Sequence, residues 1–311
     1  MMSRYLGLAA ILVAALIAPY FAYSVTLMTI LVFVIFASSF NLLLGYAGLL
    51  SFGQAMFFGT SAYVTGWILK TTGVSLEIAL IGGTLVGAVM GFLVGLVAVR
   101  RSGIQFAMIT FAFAQFVYFL LLQSEFTGGE DGMQRIPRTE ILGFIDLSDN
   151  TAFYYYVLTI TVLSIAFFYR VVHSPFGEVL KAIRDNEARV ESLGFKPDRY
   201  KLVAMTLSAG MAGLAGGLKA TVFQFATLTD VSWHISGEVI FMTLLGGLGT
   251  LVGPMVGAGI VIGMNDHLAQ FGEWALISQG AILLGVILFF RRGVVGELAA
   301  LARRYRARKG S

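Results

Sequence analysis

The chain has 311 residues, of which 58% are apolar and only 12% charged; soluble domains carry about 25% charged residues, so an ordinary soluble fold is excluded and lipid is the solvent. Cys is absent, which excludes disulfides and thiolate metal sites, and His173, His234 and His267 are too widely separated for a zinc motif. The net charge of +4 lies mostly in loops and near the C-terminus, a pattern that fits membrane orientation better than nucleic acid binding.

Taken in chain order, apolar segments predict membrane helices at about 5–23, 25–44, 51–69, 76–99, 104–123, 151–169, 202–225, 238–268 and 272–290, because roughly 20 apolar residues cross a bilayer. Arg4 ahead of the first segment resembles the start of a signal peptide. The apolar run is longer than a signal core, however, and a second begins at Val25, so it reads as the first membrane helix.

Arg100 and Arg101, seven Lys or Arg between Arg170 and Lys201, and a tail with Arg303, Arg304, Arg306, Arg308 and Lys309 mark the cytoplasmic side. The loop from Gln123 to Asn150 has six acids against Arg135 and Arg138, and is expected outside. Nine single crossings would leave the termini on opposite sides, yet both look cytoplasmic. The anomaly is 238–268, which is too long for one span and is interrupted by GGLGTLVGP at Gly246–Pro254. Splitting it at Gly253–Pro254, as a re-entrant hairpin or as two short spans, restores parity. Broken backbone at membrane depth survives only against protein or a watery cavity, which places the break beside the transport path or a helix interface. A similar string, LLLGYAGLLSFGQ at Leu42–Gln54, shares the pattern L-L-G-x-x-G-x-L with the later one, at Leu43–Leu50 and Leu244–Leu251. Paired Gly-interrupted segments point to a transporter binding region; the candidates for a translocation path are Asn41, Gly45, Gln54, Gly246, Gly249, Gly253 and Pro254.

Chemistry-bearing residues are sparse. No nucleotide-binding loop of the form G-x-x-x-x-G-K-S/T occurs, so any ATP is bound by another chain. Lys219, Glu238, Asp266 and His267 are the main ionisable groups within apolar segments; Lys219 and Glu238 fall near expected outer ends, where they would snorkel as anchors rather than relay protons. Among uncharged polar residues, Asn41, Gln54, Gln105, Gln115 and Gln224 either line a route or hydrogen-bond between helices.

The segment from Gly177 to Ala204 is the polar exception. Ser174-Pro175 predicts a helix start; Val179, Leu180 and Ile183, with Val190 and Leu193 further on, give an apolar stripe at helical spacing. Arg184, Asp185, Glu187, Arg189 and Glu191 supply charges of both signs, and Gly194 with Pro197 ends the helix. Such a helix either lies in the lipid interface or docks into another protein; its acids favour docking.

With these strings laid out, the chain resembles the LivM-type permeases of bacterial branched-chain amino acid ABC importers. The resemblance is carried by NLLLGYAGLLSFGQAMFFGTSAY (Asn41–Tyr63), RSGIQFAMITFAFAQ (Arg101–Gln115), TGGEDGMQRIP (Thr127–Pro137), SPFGEVLKAIRDNEARVESLGF (Ser174–Phe195) and SGEVIFMTLLGGLGTLVGPMVGA (Ser236–Ala258), in that order along almost the whole chain. It implies a second, LivH-like permease, two cytoplasmic ATPase subunits and a periplasmic or lipid-anchored solute-binding protein. It also implies that Ser174–Gly194 contacts the ATPase, with Val179, Leu180, Ile183, Arg184, Asp185 and Glu187 as coupling candidates. The match to the coupling loop of other importer permeases is loose: Glu187-Ala188 is present, but Gly194 lies one position beyond the usual spacing.

The expected fold is an all-α polytopic membrane protein with cytoplasmic termini, as about eight full spans plus a broken segment or about ten spans. A single permease domain would cover 1–311, with an acidic loop at 124–150, a coupling loop at 170–201 and a basic tail at 291–311. Neither a cofactor nor catalysis on this chain is expected. An ATPase-independent channel or facilitator for a small polar solute is the competing expectation, and a bacterial inner membrane is the expected location.

Overall fold

The computed structural model describes residues 15–21, 23–138, 149–268 and, further on, 277–278, 280–281, 284–285 and 293–297. Most of the first expected span, residues 139–148 of the acidic loop, most of the last span and most of the basic tail therefore lie outside the described residues. So do both termini, on whose side of the membrane the expected crossing number depends.

Among the described residues from Ser24 to Leu268, ten α-helices follow one another: α1 (Ser24–Asn41), α2 (Gln54–Thr72), α3 (Leu76–Ala98), α4 (Ile104–Gln123), α5 (Asn150–Val172), α6 (Pro175–Asp185), α7 (Glu187–Ser192), α8 (Pro197–Phe223), α9 (Trp233–Gly246) and α10 (Gly253–Leu268). A π turn, Leu42–Ala47, extends α1. Among the described residues, five helices are long and apolar enough to cross a membrane: α1 with its π turn, α3, α4, α5 and α8. The chain is thus an all-α, multi-pass membrane protein. The long apolar segment around 238–268 is two short helices, 14 and 16 residues long, with the break at 247–252.

Helix α8 is the central strut, packed on α1, α2 and α3. Its sequence permits this because Ala209, Gly210, Ala212, Gly213, Ala215, Gly216 and Gly217 are small enough for backbones to touch. A Cβ on Gly87 of α3 would stand 2.8 Å from the Ala209 carbonyl, and one on Gly216 would overlap the Phe58 carbonyl of α2. Aromatic packing fills the gap between α1 and α2, where Phe36 and Phe58 rings lie 4.5 Å apart. On its outer side α3 exposes Ile78, Ile81, Leu85, Val89, Phe92 and Leu96, a continuous apolar face that suits hydrocarbon and not water.

At the end of the bundle away from α6, a short ribbon ties the acidic loop down. Met133–Gln134 (β1) pairs antiparallel with Phe225–Ala226 (β2). Arg138 reaches the C-terminus of α8, donating from Nε to the Thr221 carbonyl at 3.2 Å and from Nη2 to the Val222 carbonyl at 2.7 Å. Its guanidinium lies 4.7 Å from the Phe153 ring centroid, and burial pulls its pKa below the usual arginine value. A cation on the exposed carbonyls of a helix end is electrostatically favourable; the six acids nearby do not reveal this role for one of the loop's two arginines.

Candidate translocation and coupling site

The two Gly-rich strings meet in space. In the first, α1 widens into the π turn and stops at Gly48, whose φ of +72° terminates the helix in the left-handed region that glycine favours. The chain then runs without helix to Gly53, and α2 begins at Gln54 beside the middle of α8. In the second, α9 ends at Gly246 and the chain passes through Gly247 (φ +120°) and Gly249 (φ +69°) before α10 starts at Gly253 with Pro254 in its first turn. Proline costs nothing there because its missing N–H has no helical partner.

Asn41, the last residue of α1, bridges the two strings. Its Oδ1 accepts from the Gly249 N–H at 3.0 Å and its Nδ2 donates to the Thr250 carbonyl at 2.9 Å. A Cβ at Gly45 would overlap Asn41 Oδ1 and stand 2.7 Å from Gly249 N, so the approach of the two backbones requires glycine. A water-sized cavity beside this junction is lined by Ser38, Asn41, Tyr46, Phe168 and Leu251. Three of the path candidates, Asn41, Gly45 and Gly249, are therefore brought together. Gly246 and Gly253 are in direct backbone apposition inside the α9–α10 hairpin, where a Cβ on Gly246 would overlap the Gly253 carbonyl; Pro254 is buried beside them.

Gln54 occupies a separate interior position. Its Nε2 donates to Ser208 Oγ at 2.9 Å, and Ser208 Oγ donates to the Ser39 carbonyl at 2.6 Å, linking α2, α8 and α1. Its Oε1 is buried without a hydrogen-bond partner among the described residues. The neighbouring Ala55 N–H donates to Ser236 Oγ at 2.9 Å, so α2 and α9 both begin inside the bundle, N-terminus near N-terminus. Of the other polar residues, Gln105 and Gln224 are exposed and Gln115 is half-buried.

The candidate coupling segment is two helices rather than one. Ser174 caps α6, accepting from the Gly177 N–H at 3.3 Å with Pro175 at the first helical position. Asn186 then turns extended and caps α7, accepting from the Arg189 N–H at 3.0 Å. Asparagine competes for backbone N–H groups in this way, which the amphipathic spacing alone does not reveal. Leu180, Ile183 and Val190 are buried in this chain's own core, so the apolar stripe seats the segment on its own bundle. The faces left to solvent carry Glu178, Asp185 and Arg189, with Leu193 at 71% exposure and Phe195 at 42%. Val179 is half-buried. Glu187 pairs with Lys201, tying α7 to the start of α8. Exposed Glu178 pairs with Lys181 at 2.8 Å, which holds its carboxyl below the usual range.

From α6, Arg184 points into the glycine junction, and Lys181 lies 5.9 Å from the Tyr46 ring centroid of the π turn. Arg184 donates from Nη1 to the Gly45 carbonyl at 2.5 Å and from Nη2 to Asp185 Oδ1 at 3.1 Å.

The charges expected to snorkel behave otherwise. Lys219 and Asp230 form a 2.7 Å ion pair with side chains only 10% and 8% exposed. Asp230 also accepts from the Thr227 N–H at 3.0 Å, and Lys219 lies 4.4 Å from the Phe225 ring centroid. Burial of a lysine is tolerable only with such partners, and Asp230 falls outside the apolar windows that locate spans. Glu238 accepts from Asn265 Nδ2 at 2.8 Å, joining α9 to α10, and Asp266 and His267 are exposed in the last turn of α10.

Comparison with known proteins agrees with this architecture. Residues 22–290 match the family model described as branched-chain amino acid transport system / permease component. The high-affinity branched-chain amino acid transport system permease protein LivM of Salmonella typhimurium is 29% identical over 288 residues, covering 85% of this chain and 68% of that protein. LivM of Escherichia coli is 28% identical with the same coverage. The autoinducer 2 import system permease protein LsrC of Salmonella paratyphi B is 24% identical over 245 residues, covering 74% of this chain and 67% of that one. No solved structure matches. The chain belongs to the branched-chain amino acid transport system permease family.

Proposed function

We propose that the chain is one of two permeases in an ATP-driven importer of the bacterial inner membrane, passing a branched-chain or related amino acid received from a solute-binding protein. The observation that carries this reading is the seat of α6 on the paired glycine breaks. A polar, capped helix pair whose apolar side is already buried offers its charged side to a partner, while Arg184 connects it to broken helices inside the bundle. Family membership supports the amino acid class, and LivM of Salmonella typhimurium is more similar to this chain than LsrC of Salmonella paratyphi B in identity and coverage.

In this reading the solvent faces of α6 and α7, with Asp185, Arg189 and Leu193, meet the cytoplasmic ATPase. The end with the β1–β2 ribbon receives the loaded binding protein. ATP closure of the motor pair moves α6, and the breaks at Gly45–Gly48 and Gly247–Gly249 absorb the movement, since glycine tolerates large backbone changes. Asn41, Gly45, Gln54, Gly246, Gly249, Gly253 and Pro254 line or shape the route, with Asn41 and the Oε1 of Gln54 as its polar contacts. The permease need not bind solute tightly; ligand and nucleotide need only favour different states.

Purification of the tagged chain in mild detergent, followed by reconstitution with what accompanies it, tests the proposal. Co-purified ATPase and second permease, with uptake that needs ATP and binding protein, is the expected result. Recovery of this chain alone, conducting solute without ATP, would support a facilitator instead.

A further inference from the structure

The Arg184 stem crosses the one residue of the π-turn end that leaves room for it. A Cβ on Gly48 would stand 2.9 Å from Arg184 Cγ, so a side chain there would push the arginine off its path. Beyond Gly48, Nη1 meets the Gly45 carbonyl at 2.5 Å. The second break lies against the same two groups: a Cβ on Gly249 would stand 3.2 Å from the Gly45 carbonyl oxygen and 3.4 Å from Nη1. The other edge of the guanidinium, Nε and Nη2, holds Asp185 Oδ1 at 3.3 and 3.1 Å. The Asp185 side chain is 70% exposed and that of Arg184 39%. One planar group thus spans from a solvent-facing carboxylate to the contact point of both helix breaks. The fixed fork of arginine can hold two acceptors at once in this way, and lysine cannot reproduce it.

We infer that Arg184 is a positioning residue that converts movement of α6 into movement of the two glycine breaks, with Asp185 as its exposed end. The inference rests on the importer reading and deepens it. A partner group that engages Asp185 shifts one edge of the guanidinium, and the other edge carries the shift to Gly45. Because Asn41 fastens Gly249 and Thr250 to the end of α1, the second break follows the first. Coupling of this kind needs a physically continuous element with two arrangements, and glycine backbones at both ends of the contact provide the freedom. The apolar stripe of Leu180 and Ile183 seats the helix and is not the link.

The test reconstitutes the complete importer in proteoliposomes and measures ATPase retention, ATP hydrolysis and solute uptake for each variant. Arg184→Ala is expected to keep its ATPase and its hydrolysis within about twofold while uptake falls at least about tenfold, a change in solute moved per ATP. Arg184→Lys, which can still reach one acceptor, should recover part of the uptake, and Gly48→Ala should reproduce the Arg184→Ala pattern without altering the arginine. Uptake and hydrolysis that fall in proportion would reduce Arg184 to a helix cap and overturn the inference. So would loss of the ATPase from the complex, which would make Arg184 a docking contact, or unchanged uptake. If the wild-type protein retains no ATPase, or transports without ATP, the importer reading falls first and the Arg184 assignment falls with it.

Discussion

Asn41 and Gly249, 208 positions apart, are joined by a 3.0 Å hydrogen bond from the glycine N–H to the asparagine Oδ1. The amide's other end donates to the Thr250 carbonyl, so one side chain satisfies two backbone groups of a loop that makes no helix of its own. Closing α1 against the α9–α10 break in this manner is what makes two distant glycine strings one structure.

Asn41→Asp keeps the acceptor and turns the donor into a second oxygen facing the Thr250 carbonyl. A buried group left unpaired costs about 1–3 kcal/mol. The variant should therefore lose several degrees of thermal stability and most of its uptake, read by a melting curve and by transport in proteoliposomes. An unchanged melting temperature would mean that the bridge contributes nothing.

Breaking the Lys219–Asp230 pair from one side strands a buried charge beside Phe223 and Phe225. Lys219→Met should cost about 3–5 kcal/mol. Asp230→Asn should also loosen the Thr227 turn, whose N–H and hydroxyl both point at Asp230 Oδ2. The double variant Lys219→Met with Asp230→Leu should recover part of the loss, and a double-mutant cycle on purified protein measures the coupling.

Gly216 and Gly259 form a matched pair for helix packing. A Cβ on Gly216 would overlap the Phe58 carbonyl, whereas none of the described residues lies within 4 Å of one on Gly259. Gly216→Ala should destabilise by about 1–3 kcal/mol or abolish accumulation; Gly259→Ala should leave both stability and membrane yield as they are. Equal behaviour would mean that α8 does not approach α2 as closely as the structure has it.

Gln54→Leu separates a route from a mere interhelical bond. The substitution removes one hydrogen bond, worth about 1 kcal/mol, but also removes a buried oxygen with no partner among the described residues, so stability should change little. Uptake should fall several-fold if the free oxygen meets solute; unchanged uptake would confine Gln54 to joining α2 to α8.

Anchoring of the 124–138 segment gives a further test. Arg138→Ala uncovers the Thr221 and Val222 carbonyls at the end of α8, and Arg138→Lys cannot serve both with Asn150 as well. Limited proteolysis should cut the 124–138 segment faster in both variants, with the alanine variant the more sensitive.

Much of the architecture is legible in the residues one after another. Apolar length locates α1 to α5 and α8 to within a few residues, because burial in hydrocarbon is a one-dimensional demand on composition. The Gly-Pro interruption marks the α9–α10 break, and Ser174-Pro175 marks the start of α6, because proline and glycine act through their own backbones. What sequence could not decide is which distant groups meet. The stripe of Leu180, Ile183 and Val190 has the same spacing whether it faces a partner or its own core, and only packing turned it inward. Lys219 reads as an interfacial anchor until Asp230 is brought beside it by a chain that dips back after α8. Arg184 is one charge among several along α6 and α7; the path of its side chain was fixed by the absence of side chains at Gly45, Gly48 and Gly249, which leaves a gap of the right shape only once two breaks from opposite ends of the chain lie together.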